Sequence, residues 1–301
     1  MFLKLDGYFL DPNGRATVLL YNGTFEASEN TIDRDRMTDV SLVAAGQRRR
    51  VDTSQWHEEG FNTVLDLTTG AAGTYLVGVS TRARTIELDA EAFNGYLEHD
   101  GVVDMLEKRK ADGTLGQDAN ELYSKHVKTV FQVGDARTDD WSTVLGYPIE
   151  FVPRANPYAL TVGDRLSVQL LRDGAPLADQ LVYAGSSATH SHSHDGGEEH
   201  THTAATTLRT DAEGMLDLPI TEAGVQYLRT IHMAERNDDG LTHESNWATL
   251  TFGVAEAEHD HGHDHNHAHA DEGIGSTSIL LGVGSLLLIA GLFVFFNRRT
   301  A

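Results

Sequence analysis

The chain has no cysteine. Disulfide frameworks, thiolate zinc sites and cysteine nucleophiles are therefore excluded, and either redox compartment remains open. Positive charge is also scarce: 23 Lys and Arg stand against 45 Asp and Glu, a formal net charge of -22. Nucleic acid is a poor partner for such a chain, because neutralising phosphates takes Lys and Arg. The same balance favours solubility and attracts cations. Catalytic signatures are missing too. There is no Gly-x-Ser-x-Gly elbow, no His-Glu-x-x-His zincin motif and no Walker loop, and Gly113-Thr-Leu-Gly116 reads as a plain loop. The expectation is a protein that is not an enzyme.

The chain does have enough apolar residues, 40% of 301, for globular cores and about two domains. Short β-branched and aromatic runs at 5–10, 15–21, 39–45, 62–67 and 74–80 read as strands between turn residues such as Asp11-Pro-Asn-Gly. From 90 to 110 the apolar spacing turns helical (Phe93, Leu97, Val102, Val103, Leu106), and Gly95 and Gly101 divide it into two short helices. Strands resume at 125–133, 165–172, 180–184, 206–209, 214–219, 225–235 and 246–254. Pro148, Pro153 and Pro157 punctuate the join after the first of these. The expected class is mainly β: two immunoglobulin-like β-sandwich domains, 1–89 and 124–254, around a helical insert at 90–123, plus one C-terminal transmembrane helix.

Eleven of the sixteen histidines fall in two tracts. The first holds His190, His192, His194, His200 and His202, in a polar loop at 188–203 between two expected strands. The second holds His259, His261, His263, His265, His267 and His269, in a linker at 255–273. Neutral imidazole is the commonest ligand for first-row transition metals, so these eleven residues are the candidate metal site, for exchangeable nickel, cobalt or zinc rather than calcium or magnesium. Histidines two apart in an extended strand stand roughly 6.5–7 Å apart, too far to share one ion. Interspersed Ser, Gly and Asn let a loop fold until several nitrogens reach the ~2.0–2.1 Å that zinc requires. Asp195, Glu198, Asp260 and Asp264 add oxygen donors. Ordering such loops costs entropy, which favours several moderate sites over one tight one. Outside the tracts, His57, His99 and His126 read as ordinary surface or strand residues, whereas His232 and His243 lie close to the last two strands and are candidates to pair across a hairpin.

Residues 274–296 form an uncharged run of 23, long enough to cross a ~30 Å hydrocarbon core. Arg298 and Arg299 follow it and Asp271 and Glu272 precede it, which places 297–301 in the cytosol and the bulk of the chain on the extracytoplasmic side. Ser278 and Gly282 are spaced as a small-xxx-small helix contact. Met1-Phe-Leu-Lys-Leu-Asp is not a signal peptide, so an exported chain is expected to start further upstream; the alternative is a tail-anchored protein facing the cytosol.

Several stretches carry a family resemblance: Phe2-Leu-Lys-Leu-Asp-Gly-Tyr-Phe, Tyr21-Asn-Gly-Thr-Phe-Glu, Ser124-Lys-His-Val-Lys, Phe131-Gln-Val-Gly-Asp, Leu145-Gly-Tyr-Pro-Ile-Glu-Phe, Asn156-Pro-Tyr, Leu160-Thr-Val-Gly-Asp, Thr230-Ile-His-Met and Glu244-Ser-Asn-Trp-Ala-Thr-Leu-Thr-Phe. Over about residues 1–254 the chain resembles a bacterial domain-of-unknown-function family long labelled the periplasmic component of a nickel/cobalt transport system (NikM-like). The resemblance implies a signal peptide and a mature start, with a histidine and an acidic residue, just before Phe2. The histidine tracts and the membrane span lie outside what that family shares most clearly.

Together these readings describe a membrane-anchored, periplasmic or extracellular metal-binding accessory protein that captures or buffers Ni, Co or Zn for a transporter permease. A single span cannot itself be the channel. The competing reading is a structural or interaction module of immunoglobulin-like kind with incidental metal binding; a metallohydrolase built on the loops is a remote third.

Overall fold

The strands are buried in a pattern that sets the architecture. In the computed structural model, which describes residues 1–187 and 206–256, nine consecutive residues from Gly73 to Thr81 are all buried. A strand sends successive side chains to opposite faces, so burial at every position means that both faces of the sheet are covered.

The N-terminal part supplies β1 (Phe2–Leu5), β2 (Phe9–Leu10), β3 (Arg15–Gly23), β4 (Ser28–Asn30), β5 (Met37–Ala44), β6 (Gln47–Arg50), β7 (Trp56–Glu59), β8 (Asn62–Thr68), β9 (Gly73–Thr81) and β10 (Arg84–Leu88). Two helices follow, α1 (Ala90–His99) and α2 (Val103–Ala111). Then come β11 (Ala119–Val133), β12 (Ile149–Pro153), β13 (Arg165–Arg172), β14 (Ala175–Pro176), β15 (Leu181–Ser186), β16 (Thr206–Arg209), β17 (Met215–Pro219), β18 (Gly224–Glu235) and β19 (His243–Val254). The chain is mainly β, as its composition and patterning indicate. The helical segment divides at Gly101 as expected, whereas Gly95, also read as a break, lies inside α1. Asp89 caps α1 through the Ala92 amide, and Gly101 (φ 74°) adopts the left-handed conformation that separates the two helices.

A ten-stranded sheet runs in the order β16-β15-β18-β19-β11-β9-β5-β6, with β10 and β2 also paired to β11. It crosses the boundary expected between two separate sandwiches. The strand that joins them is β11, which pairs antiparallel with β9 of the N-terminal part and parallel with β19 of the C-terminal part. One face of this sheet, through Val130, Leu228, Leu250 and Phe252, packs on the small sheet of β12, β13, β14 and β17. The residues in between, such as Val77, Val79, Val127 and Phe131, pack on β1, β3 and β8, and Ile231 and Trp247 pack on the helices. The result is three layers with cores on both faces of one central sheet, a layered arrangement in which each apolar face finds a partner.

Two contacts bind the small sheet to the central one. Lys128 is 1% exposed and its Nζ donates to Glu150 Oε2 (2.9 Å), to Phe151 O (2.9 Å) and to Thr143 O (3.1 Å). Glu150 also accepts from the amides of Leu145, Gly146 and Tyr147. Gly78 lies where Leu145 and Tyr147 press on β9; a Cβ there would come within 2.2 Å of Leu145 Cδ1. No helix among the described residues is long and apolar enough to cross a membrane. The run 274–296, the five residues after it and the linker beyond 256 lie outside the described residues.

Candidate functional site

All eleven tract histidines, and the acids beside them, lie outside the described residues. The strands from which the tracts depart are described. β15 and β19 are both antiparallel to β18, so they run in the same direction and stop at the same end of the sheet. Ser186 pairs with Gln226 on one side of β18 and Phe252 pairs with it on the other, a separation of about 10 Å at two interstrand spacings. Thr206, where the chain returns from the first tract, pairs with Ala184 one step back. Ser187 ties the corner down: its amide donates to Val225 O (2.8 Å) and its Oγ accepts from the Val225 amide (2.9 Å). The described strands that precede the two tracts thus stop at one end of the sheet.

The remaining histidines are dispersed, and no metal-ligating cluster occurs among the described residues. His57 is a partly exposed residue of β7 beside Glu59 (3.1 Å). The expected pairing of His232 with His243 does not occur. His232 pairs with Asn246 and His243 with Glu235, an offset of three residues that puts the two rings on opposite faces of the sheet. His232 Nδ1 meets Arg172 Nη1 (3.0 Å) on the small-sheet side, and His243 packs on Phe93 of α1 (4.6 Å between ring centroids). Burial, then the neighbouring Arg109 charge, pushes the His243 pKa down to about 4. Hairpin proximity in sequence carries no information about this offset, because a two-residue change in the turn would alter it.

His126 is the most enclosed of them, 2% exposed. Its Nδ1 lies 2.9 Å from Ser80 Oγ and its Nε2 lies 2.9 Å from Ser124 Oγ. Ser124 donates onward to Asn246 Oδ1 (2.9 Å), so its oxygen is left to accept from His126. The ring is therefore the neutral tautomer protonated on Nε2, with Ser80 donating to Nδ1. Asn246 Nδ2 continues to Glu244 (3.3 Å), which Arg236 holds at 2.6 Å. Burial pushes the His126 pKa down to about 4.

The opposite face carries a second concentration of charge that sequence reasoning missed. Lys125 of β11, Trp247 of β19, Arg229 of β18 and Tyr183 of β15 stand on neighbouring rungs of four adjacent strands. Lys125 Nζ lies 4.7 Å from the centre of the Trp247 ring, and the Arg229 guanidinium lies 4.5 Å from that of Tyr183. Tyr96 of α1 also stacks on Trp247, with centroids 6.1 Å apart and planes 7° from parallel. The end of α1 closes over the row. Arg229 Nη1 donates to Asp100 O (2.9 Å) and Tyr183 Oη donates to Gly101 O (3.1 Å). Each of these residues keeps part of its surface open.

Charge along this row is strongly perturbed. Burial lowers Lys125 to about 8 and raises Glu121, which accepts from Tyr96 (3.2 Å) and Ser245, to about 7. Burial also raises Asp100 against the opposing pull of Arg229 and Lys125. Perturbed groups of this kind gather where proteins bind or react. The signal for this row in the sequence is Lys125 and Trp247 in otherwise strand-like runs, and their partnership needs the parallel register of β11 and β19.

Comparison with solved structures gives slight likenesses. The D0-D1 domain of intimin is 12% identical, with 84% of this chain and 97% of that chain covered, at a TM-score of 0.18. The Escherichia coli adhesin FdeC is 14% identical (84% and 63% covered, TM-score 0.20), and the Yersinia pseudotuberculosis adhesin InvE is 14% identical (84% and 58% covered, TM-score 0.21). Overlaps at these scores do not establish a shared topology. No curated protein matches the sequence. A family model described as a domain of unknown function, DUF4198, matches residues 5–234, more than half the chain. The chain therefore belongs to the DUF4198 family.

Proposed function

We propose that this protein is an extracytoplasmic, membrane-anchored metal-binding accessory protein that captures or buffers Ni, Co or Zn for a transporter permease. The observation that carries the reading is the pair of histidine tracts in the sequence; the strands that precede them end about 10 Å apart at one end of the sheet. The β body acts as a stand, with immunoglobulin-like sandwich character on each side of its central sheet. The run 274–296 is the anchor, and the nickel/cobalt-transport label of the resembling family belongs to the same proposal. Acidic composition supports it by raising the local concentration of cations. The ligand set is all-imidazole with optional carboxylate, which suits late first-row divalent ions.

The test is titration of residues 1–273 with nickel and zinc, alongside versions lacking 188–203, 258–270 or both. Each deletion is expected to remove bound metal, and the double deletion nearly all of it. Unchanged stoichiometry in the double deletion refutes the reading and leaves the structural or interaction module in its place.

A further inference from the structure

We propose that the free edge of β6 binds an extended acidic segment of a partner protein, which adds to the central sheet as one more strand and sets its carboxylates against Arg34, Arg49 and Arg50. This edge lies at the opposite end of the strand order from β15 and β16, so its fate is independent of the histidine tracts.

The backbone offers the first half of the site. β6 is the last strand of the ten-stranded sheet and, among the described residues, pairs with β5 alone. A two-residue turn of left-handed residues, Ala45 (φ 51°) and Gly46 (φ 73°), joins the two strands and sets Ala44 opposite Gln47. The register continues to Val51, whose amide donates to Val40 O (2.8 Å). Bonded and non-bonded pairs alternate along an antiparallel ladder, so Gln47, Arg49 and Val51 bond toward β5. The N–H and C=O groups of Arg48 and Arg50 therefore face away from it, and all four residues of β6 are exposed. Such an edge is a template for another chain in extended form.

Charge selects that chain. In a molecule of net charge -22, this edge presents three successive arginines, and Arg34 shares a hollow with Arg50. Arg48 is already engaged by Ser41 Oγ (2.8 Å), Leu145 O (2.8 Å) and Asp39 Oδ2 (3.1 Å). Arg50 donates to Thr38 O (2.5 Å), and neither it nor Arg34 nor Arg49 makes an ion pair within 4.0 Å among the described residues. Two carboxylates line the hollow with Arg34 and Arg50: Asp52, which accepts from the Ser54 amide (2.8 Å), and Asp35. Three free guanidiniums outnumber them. Arg49 stands on the other face of the sheet from Arg48 and Arg50, because successive side chains alternate. An added strand with carboxylates at neighbouring positions meets a free guanidinium on each face, and opposite charges on adjacent strands attract. A second copy's β6 would set arginine against arginine, which the same rule disfavours. A small free anion would meet the guanidiniums and leave the outward backbone groups bare. Room for the added side chains lies at both ends of β6, in open hollows of about 410 Å³ beside Gly46, Arg48 and Thr143 and about 520 Å³ beside Arg34, Arg50 and Thr53.

The experiment is fluorescence polarisation of a fluorescein-labelled peptide, VTEEVETV, titrated with the full-length chain. Its Kd is expected below about 200 µM, within the range of weak specific contacts. The neutral counterpart VTQQVQTV should bind at least tenfold more weakly, and so should VTEEVETV with the Arg49→Gln, Arg50→Gln double variant, whose changes fall on exposed side chains. Hydrogen exchange should slow at the Arg48 and Arg50 amides when VTEEVETV is added, and stay unchanged in α1. The proposal is overturned if VTEEVETV binds more weakly than about 1 mM, if VTQQVQTV binds as well, or if the double variant keeps its affinity. It is overturned equally if exchange slows elsewhere and not in β6. Protection of the Arg48 and Arg50 amides at high chain concentration without peptide also overturns it, because a second copy would then occupy the edge.

Discussion

Acid should loosen the body through His126. In the folded chain its ring is held neutral by Ser80 and Ser124 inside the core, with a pKa near 4 against an ordinary 6.5. Between those values the unfolded chain takes up a proton that the folded chain refuses. Stability contributed by the neutral ring is therefore fully present above about pH 6.5 and is lost as the pH falls toward 4. At about 1.4 kcal/mol per pH unit, the loss across that window is about 3 kcal/mol for this one ring, to order of magnitude. That is a large part of a typical folding free energy. The assay is urea denaturation of the chain and of His126→Gln at closely spaced pH values from 7.5 to 4. The parent should start more stable, and its advantage should shrink by about 3 kcal/mol across the series. His243, also lowered to about 4, leaves a residual slope of the same sign in the variant. Asp100 and Glu121, both raised, contribute in the opposite direction, since the folded chain holds their protons more tightly. These effects are common to both proteins and cancel in the difference. Parallel curves for parent and variant would refute the reasoning, because they would mean that His126 titrates in the fold much as it does in water. Nitrogen shifts of the His126 ring at pH 6 offer a second check, and should report a neutral ring protonated on Nε2.

Lys128→Met should destabilise the chain by about 3–5 kcal/mol in denaturant melts, because Glu150 is left charged and buried, whereas Lys128→Met with Glu150→Gln should lose clearly less than the sum of the single changes. A Gly78→Ala change should lower stability by about 1–3 kcal/mol and shift the melting temperature down, since Leu145 and Tyr147 fill the space a Cβ would take. Nickel or zinc bound by the histidine tracts should be released as pH falls through about 6.5, where protons compete for imidazole; calorimetry at pH 7.5 and 5.5 should show at least a tenfold loss of affinity.

Much of the fold can be read along the chain because the physics there is local. The alternation in Arg15–Gly23 and Arg165–Arg172 marks half-buried strands, and both appear at about the expected bounds. Asp89 and Gly101 mark the start and break of the helical segment for reasons of capping and backbone freedom. The strands that were not foreseen have no apolar alternation to give them away. β6 is Gln-Arg-Arg-Arg, fully exposed, and exists because it lies on the edge of the sheet beside β5. β12 is buried at every position, carries Glu150 and ends in Pro153; it becomes a strand by pairing with β13, and Lys128 compensates the carboxylate it buries.

By itself the sequence determined the mainly β class, the absence of thiol chemistry, the two histidine tracts and the uncharged run that follows them, all matters of composition and short-range periodicity. Tertiary structure alone decided that both halves share one central sheet, that His232 and His243 stand on opposite faces, and that Lys125 lies over Trp247 and Arg229 over Tyr183. Those outcomes depend on register between strands more than a hundred residues apart, and register is set by how whole faces are buried, which no local window of residues contains.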